Sequence, residues 1–220
     1  MNEDQKEYLK ALRNGVPEDS YREAKNSSKQ LADMQQRLTD ASEPTSASIK
    51  FKGPQIILGI DPSLRGTGYG VIDTSKQTPK TLAQGTIKCP NDWSMSRCFL
   101  EISNTIESVI NDTAPTVAAI EGLFFAQNIK TALVMGQARG AALTTITKAG
   151  LDSFEIAPRK VKQAIVGFGG AQKEAVAKMV QTRLSLNTTP SPDAADALAI
   201  ALAFSQSLGS PIPDQAIKPL

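Results

Sequence analysis

Ile56–Asp73 reads IILGIDPSLRGTGYGVID, and how this stretch divides into elements decides the fold class. Ile56, Ile57, Leu58 and Ile60 form a short, nearly unbroken apolar run, the pattern of a strand buried on both faces. Pro62 ends it, having no N–H to give to a ladder. The spacing of Gly66, Gly68 and Gly70 predicts a tight turn whose backbone approaches a ligand closely. Tyr69, Val71 and Ile72 then begin a second β-prone run. Asp61 therefore stands at the carboxyl end of a central strand, where open α/β sheets bind their ligands. A strand-capping aspartate in an ordinary hairpin satisfies this stretch equally well, so the rest of the chain must separate the two readings.

Outward from this segment, Thr81–Ile87 reads as a third strand. Met95, Phe99, Ile102, Ile106, Val109 and Ile110 recur at helical spacing, predicting a helix over 93–112 capped by Asn91 or Asp92. Pro115 breaks that helix, and Thr116–Ile120 is a short buried strand ending at Glu121. A second helix over 129–149 contains VMGQARGAAL, whose Gly136, Gly140 and alanines offer a smooth surface for either intrachain packing or dimerisation. Phe154–Ile156 is a strand, Pro158 opens a helix, the GFGG loop at 167–170 precedes another, and a last helix runs from Ser191 to about Ser205. Strands alternating with helices predict an α/β domain, a mixed five-stranded sheet with helices on both faces. It occupies 51–207, between a polar, partly helical, mobile extension (1–50) and a disordered tail (208–220).

The chain has 220 residues, 40% hydrophobic, enough for one well-buried domain plus extensions. No apolar stretch is long enough to span a membrane, and the acidic start lacks the apolar centre of a signal peptide, so the cytoplasm is expected. Cys89 and Cys98 have no partner at metal-ligand or redox-motif spacing and read as free thiols. The chain contains no histidine, which excludes Ser-His-Asp and Cys-His triads, histidine zinc sites and a histidine general base. Carboxylates, lysines or metal-bound water are left to carry any chemistry. The part beyond residue 50 is mildly basic, which suits a nucleic-acid partner.

Two more acids open the last helix in SPDAADALAIALA: Ser191 as N-cap and Pro192 as first residue put Asp193 and Asp196 on one face of its first turns. Acids at a helix start also stabilise its dipole, so neither aspartate alone indicates a site. Asp61 and Glu121, each ending an apolar strand, become close if their strands are neighbours, and like charges there are unfavourable unless a cation lies between them. Oxygen-only ligation suits Mg²⁺ or Mn²⁺, and two such ions hydrolyse phosphodiesters without histidine. Arg159, Lys160, Lys162, Lys173 and Lys178 flank the glycine loop, opposed by Glu174 alone, as either a phosphate-binding patch or a solvated helix face. Phe124 and Phe125 follow Glu121 closely and serve either core or interface packing or stacking on unpaired bases.

GIDPSLRGTGYG, IEGLFFAQNIKTALVMGQARG, APRKVKQAIVGFGG and DAADALAIA resemble, in order and spacing, the motifs of the RuvC-type Holliday junction resolvases, over nearly all of 55–206. The resemblance implies a ribonuclease-H-like fold, a homodimer, and Mg²⁺-dependent nicking of four-way DNA junctions to leave 5′-phosphate and 3′-hydroxyl ends. It implies catalytic and metal-binding roles for Asp61, Glu121, Asp193 and Asp196, DNA contacts for Lys162 and Lys173 near the metals, and base contact for Phe124. A RuvA–RuvB-like branch-migration complex is the partner such enzymes suggest. Ser63 stands where the family usually has glycine, and residues 1–50 have no counterpart in the resemblance. Set against it are another ribonuclease-H-like nuclease acting on RNA, a sugar-kinase or actin-like phosphate binder, for which an unrepeated chain of this length leaves no room, and a non-catalytic junction-binding protein.

Overall fold

The computed structural model describes Phe51 and residues 53–122, 129–208 and 217–220. The expected extension, the Phe124–Phe125 segment and most of the tail lie outside the described residues.

The sheet is mixed and has six strands in the order β3-β2-β1-β4-β5-β6. They are β1 (Ile56–Asp61), β2 (Gly66–Asp73), β3 (Lys80–Lys88), β4 (Val117–Glu121), β5 (Ser153–Ile156) and β6 (Ile217–Pro219). β1 pairs antiparallel with β2 and parallel with β4, and β4 pairs parallel with β5. Five strands were expected, and β6 corrects both that number and the reading of the tail as disordered throughout. Ile217 pairs with Ile156 and Pro219 with Phe154. Three residues are too few to show a period, and Pro219, which would be out of place in a central strand, is tolerated on an edge strand.

Five described helices cover the two faces: α1 (Met95–Thr113), α2 (Ile129–Lys148), α3 (Pro158–Val166), α4 (Lys173–Arg183) and α5 (Pro192–Leu208). Strand side chains alternate between the faces. Leu58, Ile60, Val71, Ala118 and Ile120 meet Ile102 and Ile106 of α1 and Ala142 and Ile146 of α2. Ile57, Ile72, Val117, Ala119 and Ile156 meet α3, α4 and α5. α5 is buried almost all round from Ala194 to Phe204, as its apolar sequence requires. The cap of α1 is Ser94, whose hydroxyl accepts from the Arg97 N–H at 3.3 Å. The helix therefore starts after Trp93, and neither Asn91 nor Asp92 caps it.

Candidate active site

Parity along the central strands delivers two acids to one spot. Ile57 and Val117, which are register partners, face the α5 side. Every second residue does the same, so the rows Ile57, Gly59, Asp61 and Val117, Ala119, Glu121 run side by side. With Ile60 paired to Ile120, Asp61 and Glu121 stand next to each other at the carboxyl ends of adjacent parallel strands, under the start of α5.

The glycines have a different task from the one their spacing suggested. Gly68 and Gly70 lie inside β2, opposite Asp61 and Gly59, and together with Gly59 they form a floor on which α5 rests. A Cβ on Gly59 would stand 2.1 Å from the Ala197 carbonyl oxygen, one on Gly68 would stand 2.0 Å from that of Asp193, and one on Gly70 would stand 2.7 Å from Leu198 Cδ2. The backbone approaches a helix there, not a ligand, and only strands without side chains let the helix come so close. Asp193 sits over the entry to β2, where a Cβ on Gly66 would lie 3.1 Å from its Oδ2. Ser191 precedes Pro192, and its hydroxyl meets that of Thr86 at 3.0 Å, tying the start of α5 to β3.

The acids feel one another. Burial, then the negative charge of Asp196, raises the Asp61 carboxyl from 3.8 to about 6, although a hydrogen bond with Glu121 and the Lys173 ammonium pull it down. Burial, then the charge and hydrogen bond of Asp61, raises Glu121 from 4.5 to about 8. The two share a proton because a second bare charge in so little water is costly. Asp196 is engaged differently: its Oδ2 accepts from Lys173 Nζ at 2.8 Å, and this bond is the leading cause that raises the lysine. Among the described residues no three acids stand close enough to enclose an ion as they are.

Arg65, which the sequence did not single out, pins the loop after Asp61. Its guanidinium donates to the Pro90 carbonyl, to the Trp93 carbonyl at 3.1 Å and to Cys98 Sγ at 3.2 Å. The fully buried Thr67 hydroxyl closes the same loop, accepting from the Ser63 N–H at 3.2 Å and donating to the Ser63 carbonyl. Ser63 serves through its main chain and has no positive φ, so glycine is not required there. No sequence pattern marks Arg65, since its partners lie far along the chain, on the loop before α1 and on the first turn of α1.

Of the basic residues, Lys173 reaches the acids. Arg159, Lys160 and Lys162 lie on α3, which leaves the sheet just after Ile156, the register partner of Glu121, and so starts at the same end. Arg139 of the GQARG motif turns inward to Glu155 at 2.6 Å.

The protein-family model for Crossover junction endodeoxyribonuclease RuvC matches residues 57–204, a span holding Asp61, Glu121, Asp193 and Asp196. The chain belongs to the RuvC family. The RuvC of Bordetella avium is 45% identical over 146 residues, 66% of this chain and 81% of the relative. That of Heliobacterium modesticaldum is 42% identical over 154 residues, 70% of this chain and 95% of the relative. Among solved structures, Thermus thermophilus RuvC in complex with a Holliday junction substrate superposes with a TM-score of 0.67 at 32% identity, covering 76% of this chain and 99% of the other. The mixed sheet with helices on both faces is thus the ribonuclease-H-like arrangement of the RuvC enzymes.

Proposed function

We propose that this chain is a structure-specific endonuclease that resolves four-way DNA junctions by paired symmetric nicks, with Asp61, Glu121, Asp193 and Asp196 as its catalytic carboxylates. The observation that carries the reading is their convergence: two half-buried acids at neighbouring strand ends, raised to about 6 and about 8, beneath a helix whose first turns bring two more. The donor set fits a hard divalent cation, since it offers carboxylate oxygens only and the Asp61–Glu121 pair retains a proton that a cation would displace. Mg²⁺, with Mn²⁺ as substitute, bound there as two ions would supply water activation and stabilisation of the leaving oxygen.

The chain's own residues do the holding. The glycine floor fixes α5, and with it Asp193 and Asp196, against β1 and β2. Arg65 and Thr67 keep the loop after Asp61 in place, so that carboxylate is positioned in advance. Arg159, Lys160, Lys162 and Lys173 take the DNA phosphates, and Phe124 stacks on a base opened at the crossover. The product ends are a 5′-phosphate and a 3′-hydroxyl. Two equivalent strands require two centres, most simply an isologous homodimer. Its candidate surface is α2, where Ile129 and Leu133 are 79% and 63% exposed. The working place is the cytoplasm, beside a RuvA–RuvB-like complex. Among the described residues no helix is long and apolar enough to cross a membrane.

Incubating the protein with a synthetic four-way junction, a linear duplex and an RNA–DNA hybrid, each with Mg²⁺ and with chelator, tests the reading. Cleavage of the junction alone, and only with the ion, is expected. Preferential cutting of the hybrid would replace it with an RNA-directed nuclease, and tight junction binding without cutting would make the chain a binding protein.

A further inference from the structure

Lys173 and Asp196 form an unequal pair. Asp196 is carried by α5, which the glycine floor holds within van der Waals contact of the sheet, and its side chain is 22% exposed. Lys173 is the first residue of α4, on a flexible four-carbon stem, and 66% exposed. The carboxylate is fixed, whereas the ammonium can leave. While it stays, it holds Oδ2 at 2.8 Å and places a positive charge where a cation would have to approach. Two cations sharing one carboxylate oxygen repel each other.

We propose that Lys173 is a place-holder for the divalent ion: it neutralises Asp196 in the DNA-free protein and moves to a backbone phosphate when the junction docks. Metal uptake is thereby coupled to substrate binding, and a loaded centre is not left open to stray nucleic acid. The inference rests on the proposed reading of Asp196 as a metal-site residue and adds an order to it. A phosphate oxygen gives Lys173 a second anionic partner, so its release requires no unpaired charge. A half-exposed ion pair is weak enough to exchange readily. The arrival of the phosphate and the departure of the ammonium both favour the cation, and by linkage the cation favours the junction equally.

The test titrates Mn²⁺ into the metal-stripped full chain, following free Mn²⁺ by its electron paramagnetic resonance signal, without DNA and then with a four-way junction held uncut at low temperature. Without DNA, Lys173→Ala should bind Mn²⁺ roughly five- to tenfold more tightly than wild type. Lys173→Gln, which retains the stem, should match it, and Lys162→Ala should change little. Addition of the junction should tighten Mn²⁺ binding in wild type more than in either Lys173 variant. Equal affinity of wild type and Lys173→Ala without DNA would overturn the proposal, as would an equal gain from Lys162→Ala, which would signify a diffuse field instead of a place-holder. A junction effect of the same size in wild type and variant would overturn the exchange. If no protein binds Mn²⁺, or Asp196→Asn binds it as well as wild type, the metal-site reading of Asp196 itself has failed, a result distinct from the others.

Discussion

Where helices cross β1 and β2, the two faces of the sheet are built by opposite means. On one, Leu58, Ile60, Val71 and Ile120 present large side chains to Ile102, Ile106 and Ile146, so that α1 and α2 are held off at side-chain length. On the other, Gly59, Gly68 and Gly70 let α5 settle onto bare backbone, with Ala197 and Ala201 keeping the contact side of the helix narrow. Side-chain packing tolerates adjustment, because rotamers and neighbours can shift. A helix seated on backbone has no such slack, and Asp193 and Asp196 are on that helix. The part of that face that must fix charges within fractions of an ångström, the glycine floor under α5, is the part whose strands carry no side chains.

The largest effect expected on the close-packed face is loss of chemistry. Asp61→Asn, Glu121→Gln, Asp193→Asn and Asp196→Asn should each cut junction cleavage by about three orders of magnitude or more while leaving binding nearly intact, because in the proposed reading the basic residues do the holding. Single-turnover cleavage measured beside gel-shift affinity gives both numbers. A variant that still cuts at the wild-type rate removes its residue from the centre.

Next comes the floor itself. Gly68→Ala puts a methyl 2.0 Å from the Asp193 carbonyl oxygen, and backbone cannot swing aside. The expected cost is about 3 kcal/mol or more, read by urea unfolding, with cleavage impaired even where the fold survives. An unaltered midpoint would mean that α5 floats above the sheet, and the contrast between the faces would collapse.

How much of this was legible in sequence follows the same division. Apolar runs ended by Asp61 and Glu121 announce strands and their acids, because periodicity is local and each residue reports on its own strand. Ser-Pro-Asp before an apolar helix announces the start of α5 for the same reason. The glycines were visible but misread as a turn for ligand approach: a missing Cβ states that something comes close, and what comes close is a helix more than a hundred residues away. Arg65 and the Lys173–Asp196 pair were equally out of reach, each depending on a partner set by the finished fold. β6 escaped because three residues carry no period. Phe124 was singled out, and it lies outside the described residues.

A smaller effect concerns proton balance. A carboxyl whose folded pKa is raised carries no penalty below its unfolded value, an increasing one as pH climbs, and the full one above the folded value. For Glu121 that window runs from 4.5 to about 8, and for Asp61 from 3.8 to about 6. In chelator the wild-type protein should therefore lose stability between about pH 4 and pH 8. Glu121→Gln, a mimic of the neutral acid, should be more stable than wild type by on the order of 3 kcal/mol at pH 8 and nearly equal to it at pH 4. Mg²⁺ should restore part of the wild-type loss. Parallel stability profiles for the two proteins would show that the carboxyl is not desolvated by the α5 face.

The smallest effect belongs to the other face, at Gly140. A Cβ there meets nothing within 4 Å, so within one chain the residue is an exposed glycine in the interior of α2, which costs stability through its unfolded-state freedom. Gly140→Ala should therefore stabilise the folded chain by about 0.5–1 kcal/mol, a rise of roughly 2–4 °C in midpoint. That is the opposite sign from Gly68→Ala, for the same added methyl. The two-fold contact proposed for α2 makes a second demand. If a partner's helix lies against Gly140 as closely as α5 lies against Gly68, the methyl that stabilises one chain must separate two, and sedimentation should show a weaker dimer at unchanged or higher thermal stability. A dimer of undiminished strength from the stabilised variant would exclude close helix contact at Gly140 and leave Ile129 and Leu133 as the surface to test next.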